Sequence, residues 1–102
     1  MAILFKQDFR EASNNCWKCK LYDEEHEEKQ RDTHFKQANN TLATIIKDCE
    51  KIISGAAPSS KAYVDATETK KIAEGAQIEC SGCSFRDTKI KNYLETYGLK
   101  AD

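Results

Sequence analysis

The sequence predicts a mainly α fold: a small helical domain with a long central helix or helical hairpin, stapled by a four-cysteine zinc site. Three observations carry that expectation. Residues 20–53 contain neither glycine nor proline, and their second half repeats apolar residues three and four apart. Two short thiol pairs, Cys16-Trp17-Lys18-Cys19 and Cys80-Ser81-Gly82-Cys83, bracket most of the chain. Large apolar side chains are scarce: 39% of residues are hydrophobic with alanine and cysteine counted, 32% are charged, and the mean hydropathy is -0.75. A chain of 102 residues reads as one domain, 1–102. At that size it buries only about 60–70% of the surface its unfolded form exposes. Such a core leans on an added staple.

At the N-terminus, Ile3, Leu4, Phe5, Phe9 and Ala12 suit a short amphipathic helix. Ser13-Asn14-Asn15 is expected to break it, because these side chains bond nearby backbone groups and favour turns. A metal knuckle at Cys16 and Cys19 needs such a turn.

From Lys20 to Ile53 the reading is helical, as one helix or as two with Asn39-Asn40-Thr41 as the interruption. Phe35, Ala38, Leu42, Ile45, Cys49 and Ile52 form a seam, widened by Ile46 and Ile53. That seam docks on the rest of the domain or on a second copy of the chain. The first half, Asp23 to His34, has no apolar residue. It reads as a polar helical arm carrying acid-first pairs Glu25–Lys29, Glu27–Arg31 and Asp32–Lys36, each contributing about 0.2–0.5 kcal/mol.

Gly55 and Pro58 end that region. Lys61 to Ala76 is expected to be helical, and Gln77-Ile78-Glu79 to run extended into the second thiol pair. After it, Ser84 and Asp87 resemble a cap for a terminal helix with Ile90, Tyr93, Leu94 and Tyr97 on its buried face and Gly98 at its end.

Two residues between cysteines let both sulfurs reach one ion from a tight turn, and two such turns supply the four ligands of tetrahedral Zn²⁺. Cys16, Cys19, Cys80 and Cys83 are therefore the expected metal ligands. Each pair is also expected just before a helix N-terminus, whose dipole favours thiolates. A helix from Lys20 to Ser54 spans roughly 50 Å and the return to Glu79 reaches roughly as far, so the pairs can meet. A closed four-thiolate site argues for structure rather than metal catalysis. Cys49 reads as a small buried hydrophobe, with redox sensing as the sharper alternative. His26 and His34 read as solvated, with metal ligation as theirs.

Charge and motifs narrow the function. Sixteen basic residues against 17 acidic give a net charge of -1, with no basic half to seek phosphate. No phosphate loop, nucleophile elbow or metalloprotease helix is present. The apolar run at 2–5 is too short for a signal peptide, and no run would span a membrane, so the expected location is the cytoplasm, where paired thiols favour metal over disulfide. The expected function is a non-enzymatic module that binds another protein, as an adaptor, inhibitor or regulatory protein. Trp17, Glu24, Glu25, Glu27 and Glu28 form its binding surface. Two alternatives are a thiol-redox protein using C-x-x-C, and a zinc-dependent nucleic-acid binder using Arg86, Lys89 and Lys91.

Overall fold

The computed structural model describes residues 3–82 and 93–99. Three long helices follow one another: α1 (Lys6–Glu24), α2 (Glu28–Gly55) and α3 (Lys61–Gly82), with no strand among the described residues. The body measures 49 × 21 × 21 Å. Helix α2 packs against both α1 and α3, and no described helix is long and apolar enough to cross a membrane.

Helix α1 runs straight through the triplet that was expected to break it. Phe9, Ala12, Cys16 and Cys19 recur at helical spacing and are all buried, so packing of that face outweighs the local turn preference of Ser13-Asn14-Asn15. Asn15 is held in place at both ends of its amide. Its Nδ2 donates to the Glu11 carbonyl at 3.0 Å, and its Oδ1 accepts from Nδ1 of His34 at 2.7 Å.

The long helical region is two helices, and the break lies at Glu25–Glu27 rather than at Asn39-Asn40. His26 adopts a positive φ of 61°. The Glu27 amide then reaches back to the Tyr22 carbonyl at 2.8 Å. That is the Schellman closure, with histidine in the left-handed position usually given to glycine. The polar arm is therefore not a continuous helix. Glu25 and Glu27 belong to the connection; the Arg31 amide donates to the Glu27 carbonyl at 2.9 Å, and the Arg31 side chain pairs with Asp32 at 3.0 Å. Asn39-Asn40-Thr41 stays inside α2, between buried Ala38 and Leu42.

The seam of α2 closes within the chain. Ala38, Leu42, Ile45 and Cys49 are fully buried, and Phe35, Ile46, Ile52 and Ile53 pack against the same cluster. The stripe expected either inside the domain or facing a second copy is thus filled from within.

After Gly55 the backbone turns extended at Ala56. Ser60 caps α3, its Oγ accepting from the Tyr63 amide at 3.2 Å. Gln77-Ile78-Glu79, expected to be extended, continues α3. Ala66, Thr69, Ile72, Ala73 and Ala76 form the buried face of that helix. Thr69 ties the N-terminus down: its Oγ1 accepts from the Leu4 amide at 3.0 Å and donates to the Asp65 carbonyl at 2.7 Å.

The core is completed by Leu94 and Leu99, with Tyr93 against it. Gly98, at φ 76°, ends this last stretch as expected, and the Leu99 amide reaches back to the Leu94 carbonyl at 3.0 Å. Tyr97 is 43% exposed, so it does not share the buried face expected for it. Ser84, Asp87 and Ile90 lie outside the described residues.

Candidate metal centre

Cys16 and Cys19 sit three residues apart in the middle of α1 and are 6% and 4% exposed. They are not on a turn, and no helix N-terminus adjoins them, so the expected dipole argument does not apply to this pair. A helix nevertheless places residues i and i+3 on one face. Both thiols thus belong to the side of α1 that faces the core.

Cys80 lies in the last turn of α3, and Cys83 lies outside the described residues. The two helix connections fix the heights of these positions along the bundle. Cys16 stands ten residues ahead of His26, at the centre of the first connection, and Lys36 stands ten after it. Cys80 stands 22 residues past Pro58, at the centre of the second, and Lys36 stands 22 before it. Both cysteine positions therefore fall at a similar height along α2, to within about one helical turn, but among the described residues α1 and α3 each pack on α2 and not on each other. The Leu4–Thr69 bond sets the same register independently, since α1 and α3 run parallel upward from it. Among the described residues no three His, Cys, Asp or Glu side chains gather around an ion position; the four-cysteine set needs Cys80 and Cys83.

One turn before Cys16 the chain buries a hydroxyl. Ser13 is fully buried, and its Oγ has no hydrogen-bond partner. In the sequence Ser13 is a turn former, and nothing in its neighbours' identities signals an interior position except the helical spacing from Phe9 to Cys16.

The outer side of the same helix is different. Trp17 is 39% exposed and Leu21 36%, one turn apart. Lys20 Nζ lies 5.3 Å from the centre of the Trp17 ring, a cation–π distance. Beyond them, Glu24, Glu25, Glu27 and Glu28 are all exposed around the first connection, which gathers four glutamates at one end of the bundle.

The histidines part ways. His26 shapes the turn. His34 lies against Tyr22, ring centroids 5.3 Å apart and planes 6° from parallel. Because Asn15 Nδ2 is committed to Glu11, the Asn15 oxygen faces His34, whose Nδ1 therefore carries the proton. Burial, and then the charge of Lys18, lower the His34 pKa against a smaller opposing bond to Gln37. The ring clamps α1 to α2 instead of facing solvent.

Cys49 is fully buried, and burial, with the charge of Asp48 behind it, raises its pKa. A thiol kept protonated and covered is unreactive. Arg86, Lys89 and Lys91 lie outside the described residues.

No protein-family model, curated protein or solved structure matches this chain.

Proposed function

We propose that this chain is a small non-enzymatic module that binds another protein, as an adaptor, inhibitor or regulatory protein, and that Zn²⁺ held by Cys16, Cys19, Cys80 and Cys83 staples its helices. One observation carries the reading: α1 is two-faced. Its inner side presents two buried thiols three residues apart, while its outer side presents Trp17 and Leu21 and leads to the four glutamates. Thiols in a reducing interior are metal ligands more often than disulfides. An exposed tryptophan beside a charged rim has the make-up of a contact anchor.

Elemental analysis of protein prepared without added zinc tests the staple. One zinc per chain is expected, with loss on Cys80→Ser and a lower melting temperature after chelation. Zinc-free protein whose thiols cycle reversibly with a dithiol would replace this reading with the thiol-redox one. For the surface, reversing the charges of Glu24, Glu25, Glu27 and Glu28, or changing Trp17→Ala, should weaken partner recovery and leave the far-ultraviolet spectrum unchanged. Recovery of the same partners at the same strength would overturn it.

A further inference from the structure

We infer that a second copy of this chain docks on the outer face of α1, the two helices antiparallel across a two-fold axis at Trp17. The inference rests on the contact surface proposed above and names its occupant. The seam of α2 is filled from within, so a second copy has to meet another face. Among the described residues α1 packs on α2 alone, through the side that holds Phe9, Ala12, Cys16 and Cys19. The opposite side carries a stripe of its own. Arg10, Asn14, Trp17, Leu21 and Glu24 recur four and three residues apart, the spacing of a two-helix seam. They stay within about 80° of one another around the helix axis. Trp17, Leu21 and Glu24 are exposed, and Arg10 and Asn14 half-buried.

The stripe is ordered by charge. Arg10 stands at one end, Glu24 at the other, and Trp17 seven residues from each, which is about 10 Å along the axis. A parallel partner would set Arg10 against Arg10 and Glu24 against Glu24. An antiparallel partner crossing at Trp17 sets Arg10 against the partner's Glu24, twice over. The same symmetry carries Lys6 toward the partner's end at which Glu27 and Glu28 are exposed. The stripe thus complements itself, as an isologous interface requires. Asn14, a polar member of the seam, fixes orientation at a cost in strength. Glu11 and Lys18 lie about a quarter turn away, at the wet rim, where charges count for little. A single helix pair buries less than about 1,200 Å², so the dimer is a reversible one.

Sedimentation equilibrium of the full chain measures the association. Fluorescence follows the contact itself, because Trp17 is the chain's one tryptophan. A monomer–dimer equilibrium in the micromolar to millimolar range is expected, with Trp17 emission moving to longer wavelength on dilution as the ring meets water. Arg10→Glu and Glu24→Arg should each weaken the dimer about tenfold, since each change enters the interface twice. The double variant should recover the parent's association, because it reverses both ends of the stripe and keeps them complementary. Within one chain the two positions stand about 20 Å apart, so recovery cannot come from a contact inside the monomer. If Arg10→Glu unfolds the chain, Lys6→Glu with Glu28→Lys is read in the same way. A chain that stays monomeric to about 1 mM, or a double variant that associates no better than the single ones, would overturn the inference. Partner recovery that still falls on Trp17→Ala would then leave the proposed contact surface standing. A confirmed dimer whose Trp17→Ala variant recovers other proteins unchanged would remove that reading and leave the dimer.

Discussion

Replacing Gly75 by alanine sets two opposing effects against each other at one atom. Gly75 lies inside α3, where alanine is the better helix former by about 0.8–1 kcal/mol. Read from α3 alone, the change stabilises. A Cβ at Gly75, however, would stand 2.8 Å from Cζ of Tyr93, and its hydroxyl is closer still. Ordinary carbon contacts are about 3.5–4.0 Å. The Tyr93 ring must therefore move off α3, and forced overpacking of this kind costs about 1–3 kcal/mol. The net expectation is a loss of about 0–2 kcal/mol, and its sign depends on the ring. In a Tyr93→Ala background the obstruction is gone, so the same Gly75→Ala change should then stabilise by about 1 kcal/mol. Urea melts followed by circular dichroism, run on the four proteins of this cycle, read the coupling directly; about 1–3 kcal/mol is expected. If Gly75→Ala stabilises both backgrounds equally, the C-terminal segment does not lie against α3 as described.

Three further outcomes follow from features already located. His26→Gly should raise stability by about 1 kcal/mol in the same melts, since a side chain in the left-handed region costs about that much. Thr69→Val should lower stability by about 0.5–1.5 kcal/mol and speed hydrogen exchange at the Leu4 amide, whose acceptor it removes. Because the folded chain holds the His34 pKa below its ordinary value, the unfolded chain takes the proton first. The stability tied to His34 is therefore complete above about pH 6.5 and is lost progressively as pH falls below that. His34→Gln should flatten this part of the pH profile.

Much of the helical skeleton was legible because its signal repeats. The stripe from Ala38 to Cys49 is periodic enough to survive two asparagines in its middle, and Gly98 ends the last stretch where a left-handed residue is needed. The break at His26 was not legible, since nothing in Glu25-His26-Glu27 advertises a positive φ; the turn is set by docking α1 on α2. The same cause misplaced the first thiol pair. Ser13-Asn14-Asn15 is locally a turn sequence, yet the residues that bury this segment, Phe9 and Ala12 on one side and Cys16 and Cys19 on the other, are spaced for a helix, and nonlocal packing prevails. The pairing of Asn15 with His34 and the fit of Tyr93 over Gly75 join residues far apart in the chain, and no local pattern reports them.

Glu24 and Glu25 close α1 at the end where the peptide carbonyls point outward, and no basic residue lies in that last turn. Local electrostatics favours the opposite sign there, by about 0.3–1 kcal/mol per charge. Putting lysine at these two positions should therefore make the bundle sturdier while emptying the end of the molecule of its acidity. A gain in melting temperature accompanied by weaker capture would mean that the chain keeps these two acids at the expense of its own cohesion.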